Sequence, residues 1–192
     1  MKITEFNITL TEEKILSMLD ILEGKEEEVA NRLQTVLPVA YEALEPVALL
    51  EFESEALYVI LSVGQGITDL ANSLLEEGNY VGGLLADTIA NAYLFEMDEV
   101  LGDTIVSLCK EKGKGIATRM EAPTNIPIFM QKKILEVTDA TNQAGITIKD
   151  SMMFEPIKTM GQIYLLNEDT SHYQNCHTCE GCSNLTCPSR KN

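Results

Sequence analysis

The sequence predicts an α+β fold, in which a small β-sheet is covered by helices. Short apolar runs rich in β-branched residues alternate irregularly with longer segments whose apolar residues recur every three or four positions. The chain has 192 residues and is 45% hydrophobic, which is enough to bury a sizeable core in one domain. No repeat and no low-complexity tract interrupts this pattern.

The first half of the chain is predicted to contain two strands and four helices. Glu5–Leu10 alternates apolar and polar residues, as a short strand does. Thr9, with Glu12 three residues later, predicts a capping box for a helix that ends at Gly24. The other elements are a helix over Glu26–Leu44 that Pro38 kinks or splits, a buried strand over Ala56–Val63, a helix capped by Thr68 or Asp69 that stops at Gly78, and a helix over Tyr80–Lys112 with Gly102 as a candidate break.

The second half is predicted to contain three strands and one helix. They are a strand over Ile116–Met120, a rigid loop over Pro123–Pro127, a helix over Phe129–Thr141, a strand at Ile146–Ile148 and a strand at Ile163–Leu166. The apolar pattern stops after Asn167. We therefore expect a domain over residues 1–167 and an irregular appendage over residues 168–192.

Charge is distributed unevenly along the chain. There are 30 acidic and 14 basic residues, and Leu33–Cys109 contains thirteen acids and no Lys or Arg. A net charge of -16 argues against nucleic acid and against an anionic membrane surface as partners, since both attract basic residues. Two interpretations stay open: an ordinary solvated acidic surface, or an acidic docking face for a partner protein.

The expected location is the cytoplasm. No apolar run reaches the ~18 residues of a membrane span, and Met1–Leu10 does not have the pattern of a signal peptide. In a reducing compartment, clustered cysteines bind metal more often than they form disulfides.

Four of the five cysteines form one run near the C-terminus, and Cys109 alone lies in an apolar helical pattern, as a small core residue would. The run is Cys176-x2-Cys179-x2-Cys182-x4-Cys187, followed by Pro188. This spacing is close to that of the cysteine run of bacterial ferredoxins, and only the last gap is one residue longer. The similarity favours a 4Fe-4S cluster. Zinc is the alternative, although zinc sites usually use two separated Cys-x2-Cys pairs. A metal-free or disulfide-bonded tail is a third option.

The body of the chain contains no standard catalytic motif. Both histidines lie in the tail, so the body has no Ser-His or Cys-His pair, which argues against ordinary hydrolase chemistry. Gly64-Gln65-Gly66 is too short for a dinucleotide loop, and no P-loop lysine follows it.

Three segments, Tyr58–Glu96, Gly115–Pro127 and Ala144–Leu166, resemble the reactivation domain of cobalamin-dependent methionine synthase in order and spacing. The resemblance is closer to its small stand-alone relatives in anaerobic bacteria, which often end in a Cys-rich tail, and it covers roughly Leu57–Arg190. It implies a bent antiparallel sheet with packed helices. It also implies binding of S-adenosylmethionine and docking on a corrinoid protein, where Co(II) is reduced to Co(I).

The same resemblance implies a set of ligand-binding residues. Arg119 is similar to the arginine that opens the family's Arg-x-x-Pro-Gly-Tyr segment, which contacts S-adenosylmethionine. Here the proline comes one residue late, and Thr124-Asn125 replaces Gly-Tyr. The full set is Asp87, Glu96, Arg119, Pro123, Ser151, Met152 and Lys158. Plainer interpretations are an ion pair for Arg119, solvated surface charges for Asp87 and Lys158, and an adaptable core or interface residue for Met152.

These observations predict a redox accessory protein that serves a corrinoid protein or a corrinoid-dependent methyltransferase. The tail cluster would accept an electron from a donor such as ferredoxin or flavodoxin and pass it to Co(II). Two alternatives stay open. One is a zinc-stapled, non-redox module that binds a corrinoid or its carrier protein, and the other is a methyl donor that binds S-adenosylmethionine.

Overall fold

The structure, a computed structural model, describes residues 1–173, so the four-cysteine run lies outside the described residues. The helices are α1 (Glu12–Ser17), α2 (Glu26–Glu42), α3 (Gly66–Glu76), α4 (Tyr80–Glu111), α5 (Met130–Val137) and α6 (Ala140–Ala144). The strands are β1 (Lys2–Ile3), β2 (Val47–Glu53), β3 (Ala56–Ser62), β4 (Gly115–Glu121), β5 (Thr147–Ile148), β6 (Phe154–Glu155) and β7 (Thr159–Asn167). Among these helices, none is both long enough and apolar enough to cross a membrane.

The main sheet has five strands in the order β1-β2-β3-β7-β4, and every neighbouring pair is antiparallel. Strands β5 and β6 form a separate two-stranded sheet. Helices pack on the main sheet, which confirms the predicted α+β class with an antiparallel sheet and packed helices. Strand β7, the last strand in the sequence, lies between β3 and β4, so the two halves of the chain share one sheet.

Strand β3 is buried along its whole length, and all of its residues except Ser62 are hydrophobic, as expected of a strand that is covered on both faces of the sheet. Leu57, Val59 and Leu61 point into the larger core, which α4 dominates. Tyr58 and Ile60 point into a smaller core with residues of α5 and α6. The continuous apolar run therefore predicted this buried strand correctly.

Helix α4 is the central helix of the larger layer. Its 32 residues run without interruption, so the candidate break at Gly102 is wrong; Gly102 is buried inside the helix. Near the start of α4, Gly83 allows α3 to approach closely. A Cβ atom on Gly83 would lie 2.6 Å from Cγ of Leu75. Helices α1, α2 and α3 all contact α4.

The N-terminal segment differs from the prediction. Residues 5–10 form no strand, and the first strand is Lys2–Ile3, which pairs with β2. Instead of pairing, this segment packs inward and is held by the Leu10 amide, which donates to the Tyr41 hydroxyl at 2.7 Å. The cap of α1 is Thr11 rather than Thr9, because the Thr11 hydroxyl accepts from the amide of Lys14. Helix α1 ends at Ser17, well before Gly24.

Three other elements also differ from the sequence prediction. Strand β2 was not predicted, although its first four residues are buried. Gln65, rather than Thr68 or Asp69, is the N-cap residue of α3. The helix predicted over Phe129–Thr141 is interrupted, because Asp139 adopts a left-handed backbone conformation with φ of 49°.

Helix α2 continues through Pro38 to Glu42, so the proline does not split it. Pro38 has no amide hydrogen for the carbonyl of Gln34, and its side chain is exposed. Replacing Pro38 with alanine is therefore expected to raise the free energy of unfolding by about 1–3 kcal/mol. Urea unfolding measures this. Arg32→Ala, an exposed replacement in the same helix, should change it by less than about 0.5 kcal/mol; an unchanged or lower stability for Pro38→Ala would contradict the expectation.

Candidate functional site

The pairing of β4 with β7 brings polar side chains together under α4. Arg119 lies opposite Tyr164, and Glu121 lies opposite Gln162. Since side chains alternate between the two faces of a strand, all four point to the same face. Tyr164 belongs to the larger core, so this face is the one that α4 covers.

Asp98 of α4 completes a buried network with these four residues. The Nη2 atom of Arg119 donates to Oδ2 of Asp98 at 2.9 Å and also to the carboxylate of Glu121. Oδ1 of Asp98 accepts from Nε2 of Gln162 at 2.6 Å, and Oε1 of Gln162 accepts from the Tyr164 hydroxyl at 2.9 Å. We call these five residues the Arg119 network.

The Arg119 network lies in a region of low dielectric constant. Burial alone would lower the pKa of Arg119, but its negative neighbours outweigh burial and hold that pKa above its usual value. Burial raises the pKa of Tyr164, so its hydroxyl keeps its proton and can donate to Gln162. Nε and Nη1 of Arg119 are buried and have no hydrogen-bond partner among residues 1–173. The guanidinium therefore has donor capacity that the described part of the chain does not use.

One end of the Arg119 network reaches the surface through Glu121, whose side chain is 31% exposed. The side chain of Asn125 closes a turn beside it. Its amide donates to the carbonyl of Arg119 at 3.3 Å, and its oxygen accepts from the backbone amide of Glu121 at 2.7 Å. Pro123 lies within this turn. Pro123 therefore belongs to the turn that Asn125 fastens to the backbone of Arg119 and Glu121.

Asp87 and Lys158 form a second polar cluster between α4 and the start of β7. Nζ of Lys158 lies 2.6 Å from Oδ1 of Asp87 and donates to Oδ1 of Asn91 at 2.9 Å. The side chain of Lys158 is 14% exposed, and that of Asp87 is 47% exposed. These two predicted site residues therefore meet in one ion pair, with its carboxylate accessible to solvent. We call Asp87, Asn91 and Lys158 the Lys158 cluster.

The Lys158 cluster and the Arg119 network lie along one seam between α4 and β7. In the sequence, Met160 lies between Lys158 and Gln162. Its sulfur lies 2.9 Å from Nε2 of Gln162 and 3.9 Å from Nη2 of Arg119. On α4, Phe95 follows Asn91 by one turn and is 41% exposed. The seam therefore has an accessible end, with the carboxylate of Asp87 and the ring of Phe95, and a second end at the buried guanidinium of Arg119, which the sulfur of Met160 contacts.

The other predicted residues lie elsewhere. Glu96 forms an ion pair with Lys14, which ties α1 to α4. Ser151 and Met152 lie in the turn between β5 and β6, where Met152 has a positive φ of 66° and its amide donates to the carbonyl of Lys149 at 2.8 Å. The structure therefore joins Asp87 with Lys158, places Pro123 in the turn that follows Glu121, and gives Glu96 a partner outside the seam.

Of the Arg119 network, the sequence predicted only Arg119 as a site residue and not Asp98, Glu121, Gln162 or Tyr164. A signal for Asp98 was present, since it lies four residues after Leu94 and three before Leu101, on an apolar face of α4. A carboxylate at such a position predicts a buried partner. The partner itself was not predictable locally, because Arg119 is 21 positions away.

Cys109 is fully buried in α4, and burial raises the pKa of its thiol to about 11 from 9.0. Between these pH values the unfolded chain releases the thiol proton while the folded chain retains it, so stability falls as pH rises. Over this interval, the free energy of unfolding is expected to fall by about 2 kcal/mol more for the unmodified chain than for Cys109→Ala. Urea titrations at both ends of the interval measure the difference. Equal slopes would contradict a buried, protonated thiol.

Within residues 1–173, no group of three or more His, Cys, Asp or Glu side chains is arranged to hold a metal ion. Cys176, Cys179, Cys182 and Cys187 lie outside the described residues. The metal-binding expectation therefore stays a prediction from the donor set.

No family model and no curated protein matches the sequence. Twelve chains of solved structures match it. One is the crystal structure of the MetH reactivation domain bound to AdoHcy, with a TM-score of 0.58 and 11% sequence identity over 86% of this chain and 72% of that chain. At this identity the match shows a shared fold. The fold relationship that the sequence resemblance predicted is confirmed.

Proposed function

We propose that this protein docks on a corrinoid protein or a corrinoid-dependent methyltransferase and supports the reduction of Co(II) to Co(I). The observation that carries the proposal is the reactivation-domain fold in a chain that also contains four clustered cysteines. In the proposed reaction, a reduced donor protein such as ferredoxin or flavodoxin gives up one electron and Co(II) gains it. The cytoplasm is the proposed setting, because cysteines stay reduced there.

The cysteine donor set fits a 4Fe-4S cluster, since four thiolates can satisfy one cluster without help from the body. Such a cluster supplies reversible one-electron transfer when bound. The body needs no acid–base machinery for this reaction, in keeping with the absence of a Ser-His or Cys-His pair. Its task is to bind and orient the partner, and the accessible end of the seam provides an aromatic ring and a carboxylate for that contact.

Metal analysis of protein that is expressed and purified without oxygen tests the proposal. We expect iron and acid-labile sulfide in equal amounts, together with visible absorption that bleaches on reduction. The purified protein should also accelerate the reduction of a Co(II) corrinoid protein by reduced ferredoxin or flavodoxin. Colourless protein with zinc would contradict electron transfer and favour the zinc-stapled binding module.

Binding of S-adenosylmethionine is a second candidate, because the matching MetH structure is bound to AdoHcy. In this chain, Asp98 and Glu121 already neutralise the Arg119 guanidinium, and its side chain is 1% exposed, so a ligand carboxylate would have to compete with two carboxylates at a buried site. We therefore expect weak binding. Calorimetry with S-adenosylmethionine measures it, and tight binding that Arg119→Met abolishes would favour the methyl-donor function.

A further inference from the structure

The outer edge of β4 carries a contact that the proposed function does not use. β4 is the last strand on one side of the sheet, so half of its backbone groups point away from β7. After β7 the chain turns back to this edge. The amide of Ile116 donates to the carbonyl of His172 at 2.8 Å, and Ile116 pairs with Tyr173 in the parallel direction.

Residues on both partners, Tyr173 of the returning chain and Gly115 of β4, favour this contact. The ring of Tyr173 packs against the larger core, and Nζ of Lys110 lies 4.9 Å from the ring centre. Gly115 leaves space for the returning chain, because a Cβ atom there would lie 2.7 Å from the carbonyl oxygen of His172 and would also collide with that of Asp169. The described chain therefore ends at Tyr173 on the β4 edge, where it pairs with β4 in the parallel direction.

The far end of the same edge is already covered. Asn125 bonds the carbonyl of Arg119 and both backbone groups of Glu121. In an antiparallel pair, both backbone groups of a residue point the same way, so the Arg119 amide also points outward. A stretch of three residues, Ala117 to Arg119, thus lies between the His172 contact and the Asn125 turn. Its length is about 10 Å.

We propose that the C-terminal segment after Tyr173 docks on this stretch of the β4 edge. Nineteen residues follow Tyr173. The first three of them can span about 10 Å in extended form, which is the length of the free stretch. The register of β4 shifts by one residue between Ile116 and Thr118, so the pairing after Tyr173 shifts by one residue as well. Since Cys176 follows Tyr173 by three residues, the cysteine run would begin next to the Arg119 network. Backbone pairing with an open edge is a common way to capture an extended segment.

The docking proposal holds whether the cysteines carry iron, zinc or no metal. Only its consequence, a metal centre next to the seam, rests on the proposed function. The test therefore measures backbone protection rather than metal content or reduction. It uses hydrogen exchange of the full chain by mass spectrometry with single-amide resolution, and the diagnostic group is the amide of Arg119.

In the unmodified chain, we expect the Arg119 amide to exchange slowly. Gly115→Ala pushes the returning chain off the edge, so this amide should exchange about tenfold faster or more, while the β7 amide of Leu165 keeps its protection. Tyr173→Ala should act in the same direction, and it keeps the test decisive if Gly115→Ala fails to fold. Gly78→Ala is the control for general destabilisation, because its φ of 80° strains an alanine, whereas a Cβ atom there meets nothing within 4 Å and Gly78 lies far along the chain from β4.

Two results would overturn the docking proposal. One is fast exchange of the Arg119 amide in the unmodified chain, with no change in Gly115→Ala or Tyr173→Ala. The other is protection that rises with protein concentration, which would assign the edge to a second copy of the chain.

Discussion

Replacing Asp98 with alanine is expected to lower the free energy of unfolding by about 3–5 kcal/mol. Asp98 and Arg119 are both nearly fully buried, and Glu121 is the other carboxylate that pairs with the guanidinium. Without Asp98, part of the charge of Arg119 and the Nε2 donor of Gln162 lose their buried partner. Urea unfolding followed by circular dichroism measures the change.

Two further variants make this expectation specific. Asp103→Ala removes an exposed carboxylate from the same helix and should change stability by less than about 0.5 kcal/mol. Asp98→Leu combined with Arg119→Met removes both charges and should regain most of the loss. The expectation fails if Asp98→Ala is as stable as Asp103→Ala, or if the double variant is no better than the sum of its single changes.

Replacing Cys179 or Cys182 with serine is expected to remove the metal and to slow reduction of the Co(II) corrinoid protein by more than about 100-fold. The physical reason is that each proposed ligand bonds the cluster directly, and even outer partners of a metal site contribute about 10–100-fold to affinity or activity. Iron and sulfide analysis and the rate of Co(I) formation, both without oxygen, provide the two measurements.

Cys109→Ala is the matched control for these variants, because Cys109 is a buried cysteine of α4 and is not part of the run. It should retain full iron content and the full rate of reduction. If Cys179→Ser loses zinc or stability but reduces Co(II) as fast as the unmodified chain, the binding-module function is favoured. If Cys109→Ala loses the metal as well, the assignment of the cysteine run as the ligand set is wrong.

The sequence predicted helices and strands best where the local pattern of apolar residues also determines which residues are buried. The apolar run Ala56–Val63 matches β3 within one residue, and Tyr80–Lys112 matches α4 equally well. The strand predicted over Glu5–Leu10 does not form, because alternation of apolar and polar residues does not by itself provide a partner strand. The segment packs on the helical layer instead, with the Leu10 amide bonded to Tyr41.

In the candidate site too, local sequence patterns predicted single residues, whereas contacts between distant elements were not predictable. The sequence resemblance predicts Arg119, but it does not predict three other members of the Arg119 network, Asp98, Gln162 and Tyr164. They come from α4 and β7, and the β4–β7 register together with the packing of α4 decides that they meet. Asp87 and Lys158 were both selected, but their ion pair also depends on α4 lying against the start of β7.

The sequence by itself determined the α+β class, the long central helix, the acidic central stretch and the spacing of the four cysteines. These features depend on residue type and on neighbours within a few positions. Only the tertiary structure decided that Arg119 is buried between two carboxylates, and that the chain returns to β4 through Ile116 and Tyr173. The reason is that a buried charge takes its partners from other elements, and the strand order and register bring those elements together.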